Sequence, residues 1–99
     1  MRLTEHQAKR IVELAHAMAG ESAQVRVFGS RLDDAARGGD LDLMLELPES
    51  AVNPALLAAR FSSRVTRLMQ GRKVDVLLAA PKLMRLPIHD LAFREGKIL

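Results

Sequence analysis

Val27-Phe28-Gly29-Ser30-Arg31 and, beyond it, Asp40-Leu41-Asp42-Leu43 are the stretches that decide the fold of this chain. A short apolar strand runs into Gly-Ser, a loop of Asp, Arg and Gly follows, and nine residues separate Ser30 from Asp40. Side chains alternate across a strand, so Asp40 and Asp42 share one face while Leu41, Leu43, Leu45 and Leu47 share the other. Two carboxylates side by side repel unless a positive charge sits between them. A hard divalent cation fills that role, and Mg²⁺ usually arrives with phosphates. Gly-Ser at a strand-to-helix turn supplies backbone N–H groups and a hydroxyl to hold such phosphates.

A third acid extends the pattern. Lys73-Val74-Asp75-Val76-Leu77-Leu78 reads as another strand, with Asp75 the one acid in an apolar run. If it pairs with the Asp40–Leu47 strand, Asp75 joins the same face. Two Mg²⁺ ions between such acids clamp the attacking and leaving oxygens of a transferred phosphoryl centre.

Gly29-Ser30-Arg31, Asp40-x-Asp42 and the later strand acid Asp75 resemble the minimal nucleotidyltransferase (MNT) family of the DNA polymerase beta-like superfamily. The family pattern is Gly-Ser, a gap of about ten residues, Asp-x-Asp, then a third acid on a following strand; the gap here is nine. The resemblance covers nearly the whole chain. It implies a nucleotidyltransferase fold, with Asp40, Asp42 and Asp75 as both catalytic and metal-binding residues. The first two acids would coordinate both metals, and the third would help activate the attacking hydroxyl. Gly29, Ser30 and Arg31 are the candidate contacts to the triphosphate. Read without the resemblance, Gly29-Ser30 also fits a plain helix N-cap, Arg31 also fits a solvated side chain, and each acid also fits a polar strand position.

Composition bounds the rest. Ninety-nine residues, 48% hydrophobic and 27% charged, make one domain, 1–99, with one modest core. Three Phe and no Tyr or Trp leave an aliphatic core and no stacking platform for single-stranded nucleic acid. The absence of Cys excludes disulfides and thiolate metal sites and suits a reducing cytosol, so a cytoplasmic location is expected. The N-terminus has no signal-peptide core, and the longest apolar run is far below the roughly 18 residues of a membrane span. A net charge of +3 suits phosphate-bearing ligands without indicating a DNA-coating protein.

Along the chain, Thr4-Glu5-His6-Gln7 is a capping box that starts a helix. Ala8, Ile11, Val12, Ala15, Met18 and Ala19 continue it at helical spacing to Gly20. Gln24–Phe28 and Asp40–Leu47 read as strands, with Ser30–Ala36 as helical turns and Arg37-Gly38-Gly39 as a connection. Asn53-Pro54 opens a second long helix with Leu57, Phe61, Val65, Leu68 and Met69 as its buried stripe. Arg72–Ala79 is the third strand, and Ile88–Glu95 a last helix stopped at Gly96. The expected class is α/β (α+β): a small mixed β-sheet with helices packed on one face, the other face left to the acids and a ligand.

Arg60, Arg64 and Arg67 fall on one side of the second long helix, either as a solvated face or as a docking surface for an acidic partner or RNA. Asp33 and Asp34 read as turn residues, Glu46 as a bystander beyond Asp42, and His6, His16 and His89 receive no role.

The expected activity is Mg²⁺-dependent transfer of a nucleoside monophosphate, AMP from ATP, to a hydroxyl. With nothing after Leu99, the acceptor is expected to come from another protein or from a second copy. The resemblance implies a small helical HEPN protein as that partner, in a toxin–antitoxin pair where the MNT chain is the antitoxin and adenylylates the toxin. The alternative is a non-catalytic module that binds nucleotide and masks its partner. Transfer to a small molecule such as an aminoglycoside fits less well without an acceptor domain.

Overall fold

The structure is a computed structural model, and it describes residues 3–29 and 41–99. Within these the order is α1 (Glu5–Ala19), β1 (Gln24–Phe28), β2 (Leu41–Glu46), α2 (Pro54–Leu68), β3 (Val74–Ala79), α3 (Pro87–Glu95) and β4 (Lys97–Ile98). The expected helical turns over Ser30–Ala36, the Arg37-Gly38-Gly39 connection and the turn residues Asp33 and Asp34 lie outside the described residues.

Both long helices start where their caps direct. The Thr4 hydroxyl accepts from the Gln7 amide at 3.0 Å while the Gln7 side chain accepts from the Thr4 amide at 3.0 Å. This reciprocal pair satisfies two donors that no earlier turn can reach. Thr4→Ala is expected to lower unfolding free energy by about 1 kcal/mol, read as a lower urea midpoint at unchanged slope. Asn53 Oδ1 accepts from the Leu56 amide at 3.1 Å, and Pro54 occupies the first helical position of α2, where its missing N–H costs nothing.

The four strands form one mixed sheet in the order β3-β2-β1-β4. β1 and β2 are antiparallel, with Phe28 opposite Asp42, and β2 and β3 are parallel, with Asp42 opposite Asp75. The α2 segment carries the chain between the parallel pair, as such a crossover requires. β4 adds two residues beside β1, pairing Lys97 with Val27 and Ile98 with Arg26. Gly96 precedes it, where a side chain would run into the Ala92 carbonyl and close on that of Val27.

One sheet face meets α1 and α2. Val25, Val27, Leu41, Leu43, Leu45, Val74 and Leu78 pack there against Ile11, Ala15, Phe61 and Val65 in the main core. Leu41, Leu43, Leu45, Ile11, Phe61 and Val65 are fully buried. Each large aliphatic side chain so placed contributes about 1.5–3 kcal/mol through loss of contact with water. The helices were expected on one face only, and here the structure differs. α3 lies across the opposite face, where Ala92 packs with Phe28, Met44 and Ala79. Those three residues alternate in phase with the acids, so the second face mixes apolar and acidic positions, with Phe28 beside Asp42 and Ala79 beside Glu46.

Side chains also meet the outer margin of β3. Leu41 N–H bonds to Lys73 O and Leu47 N–H to Ala79 O, at 3.0 and 2.8 Å. The odd-numbered residues of β3 therefore face β2, and Val74, Val76 and Leu78 turn their backbone groups outward. The Ser62 hydroxyl donates to Val74 O at 2.6 Å, and His89 Nε2 stands 3.0 Å from Leu78 O. Among the described residues no helix is long and apolar enough to cross a membrane.

Candidate functional site

Two of the three acids meet. Register pairing across parallel strands puts Asp42 and Asp75 side by side on the sheet face that α3 only partly covers. Asp42 is half-buried and Asp75 exposed. Like charges directly opposite one another on a sheet destabilise it, so the pair is a place where a cation is stabilising. Asp40, the third expected ligand, lies outside the described residues, as do Ser30 and Arg31. Among the described residues no group of three His, Asp or Glu is disposed to hold a metal ion.

Gly29 closes the site from β1. Its φ of +77° is a conformation that side chains disfavour, and a Cβ placed there would lie 2.6 Å from Asp42 Oδ2. The missing side chain is what lets the Gly29 backbone lie against the Asp42 carboxylate. Beyond the expected approach of a triphosphate, Gly29 closely approaches a side chain of the protein itself, Asp42.

Cations stand at the same end. The Lys73 carbonyl receives the Leu41 amide, so the Arg72-Lys73 segment lies beside the start of β2. Arg72 has a buried Nη1 with no hydrogen-bond partner among the described residues.

The far end of the same face is occupied differently. Glu46, expected to be a bystander, pairs with Arg26 at 3.6 Å, and the Arg26 guanidinium lies 5.1 Å from the centre of the Phe93 ring. Arg85 also lies over that ring at 4.7 Å and bonds Asp90 at 2.6 Å. These contacts fasten α3 to the sheet through a desolvated cation and an aromatic face.

His89, assigned no role from sequence, is 5% exposed and doubly bonded. Its Nδ1 accepts from the Leu86 amide at 2.9 Å, which leaves Nε2 to donate to the Leu78 carbonyl. It thus caps α3 and ties that helix to β3. The available signal was its place at the third helical position after Pro87, where an acceptor reaches back to the cap amide. His89→Ala is expected to cost about 2 kcal/mol by orphaning two backbone groups, measured as a fall in urea midpoint.

The carboxylate pair fits a hard divalent cation by its oxygen chemistry and by its close spacing. The cavity toward the far end, about 310 Å³ and bordered by Glu46, Arg85, His89 and Phe93, is separate from the acids. Compared with known proteins, the chain matches no family model and no curated sequence.

Proposed function

We propose that this chain is a minimal nucleotidyltransferase that moves AMP from ATP to a hydroxyl on a partner protein. The observation that carries the reading is the register pairing of Asp42 with Asp75, with Gly29 set against the Asp42 carboxylate. The Gly-Ser and Asp-x-Asp spacing in the sequence supports it further.

In this reading Asp40, Asp42 and Asp75 hold Mg²⁺, which when bound neutralises the charge that grows on the phosphoryl oxygens. Gly29, Ser30 and Arg31 receive the outer phosphates through backbone N–H groups, a hydroxyl and a guanidinium. The acceptor oxygen forms its bond to the α-phosphorus as the bond to the bridging oxygen breaks. Pyrophosphate leaves with that electron pair, and Asp75 takes the hydroxyl proton. Exposure of Asp75 gives an incoming hydroxyl access to that carboxylate.

The acceptor we propose is a hydroxyl of a small helical HEPN protein encoded beside this chain, with the pair acting as toxin and antitoxin. The test is intact-mass measurement of the neighbour-encoded protein after incubation with this chain, ATP and Mg²⁺. Added AMP units on the neighbour are the expected result. A stable complex with no added mass and no ATP consumption would instead make the chain a masking module.

A further inference from the structure

The outer groove between α1 and α2 has a composition that transfer chemistry does not explain. Leu14, Ala17 and Met18 border it from α1, and Leu56, Leu57, Arg60 and Arg64 from α2, enclosing about 450 Å³. Leu56 is 43% exposed, a large apolar side chain left in water. Leu14, Met18 and Leu57 are half-buried along the floor.

Charge along the groove has one sign. Arg60, Arg64 and Arg67 recur at intervals of four and three on α2, so they form one stripe. All three are exposed. Among the described residues none of them forms an ion pair, whereas Arg10, Arg26, Arg85 and Arg94 all do. The α2 segment PALLAARFSSRVTRL contains no acid to balance them. Three neighbouring guanidiniums repel one another weakly through water and salt, and a row of carboxylates on a partner complements them.

We infer that this groove docks an amphipathic helix of a partner protein, with apolar side chains at helical spacing seated between α1 and α2 and a flanking row of carboxylates on Arg60, Arg64 and Arg67. A groove between two helices accepts a third by its apolar anchors, and charge at the rim sets which helix and which direction. The apolar floor favours a peptide over RNA. Nucleic acid would use the cations but leave Leu14, Met18 and Leu56 unpaired, and none of the residues bordering the groove is aromatic to stack a base. The inference does not depend on nucleotide transfer, because the groove is on the side of the helices away from the sheet.

A library of displayed helical peptides panned on the full chain tests it, with an Arg60→Glu/Arg64→Glu variant as counter-selection. Both positions are exposed, and the variant's helicity and thermal midpoint are checked first. The expected winners carry Leu or Ile at helical spacing beside Asp or Glu three and four residues apart. One such synthetic peptide should bind the parent at least about 10-fold more tightly than the variant, and its Glu→Gln form should lose a similar factor. Winners that are neutral or basic, or that bind parent and variant alike, would overturn the inference. So would tighter binding of a uridine 12-mer than of any peptide, or self-association of the chain that charge reversal abolishes. The mass-transfer experiment fails or succeeds separately, since it reads Asp42 and not these arginines.

Discussion

Asp42→Asn is expected to reduce nucleotide transfer by about 1,000-fold, some 4 kcal/mol of barrier, while leaving the fold intact. The substitution keeps shape and removes one of two carboxylates that stand in register on β2 and β3. A cation site loses affinity and charge compensation together when one of its anionic ligands becomes neutral. Stability without metal should change little, because the substitution keeps the shape of the side chain. The variant's thermal midpoint without metal is therefore expected within about 4 °C of the parent's. Adding Mg²⁺ should raise the midpoint of the parent by linkage and leave that of Asp42→Asn unmoved. Equal midpoints in both proteins with and without Mg²⁺ would remove the metal from the proposal, whatever the activity.

Gly29→Val carries the second large effect, and it acts on both stability and transfer. At φ +77° a β-branched residue is strained, and its Cβ would stand 2.6 Å from Asp42 Oδ2, so the carboxylate or the Gly29 backbone must shift. The backbone cost is about 2–4 kcal/mol. A displacement of about 1 Å at a reacting group costs on the order of 100-fold in rate. Urea unfolding and the mass assay measure the two parts. Transfer that survives in the fraction still folded would show that the contact between Gly29 and Asp42 is without consequence for chemistry. Gly29→Ala should show the same signs with smaller size, since it lacks the branched carbons.

Much of the architecture was legible because it is local. The Thr4–Gln7 box and the Asn53-Pro54 pair are written in adjacent residues, and the buried stripes of α1 and α2 follow a helical period. Alternation along Leu41–Leu47 placed four leucines on the core side before any pairing was known. The position of α3 was not legible in the same way. A nine-residue helix with Ala92 as its buried contact has little apolar stripe to read. The available clue lay elsewhere, in Phe28, Met44, Leu77 and Ala79, apolar residues on the very face reserved for ligand. A strand apolar on both faces is covered on both faces. β4 was invisible for another reason, since Lys97-Ile98 becomes a strand only through pairing with Arg26 and Val27, about 70 residues away in sequence. At the candidate site, the sequence identified the acids, and the register that joins Asp42 to Asp75 needed the sheet. Asp40, Ser30 and Arg31 lie outside the described residues.

The side chains that meet the outer margin of β3 bear on how the molecule behaves in a crowded solution. A six-residue strand at the end of a sheet is a template on which another polypeptide can zip by main-chain bonding. Ser62 occupies the outward carbonyl of Val74 and His89 that of Leu78, so Val76 lies between two positions already taken. An incoming strand would find no uninterrupted run of acceptors. At the opposite end β4 is two residues long and opens with a lysine, too short and too charged to recruit a neighbour. Edge-to-edge joining of sheets from separate copies is thereby disfavoured at both margins.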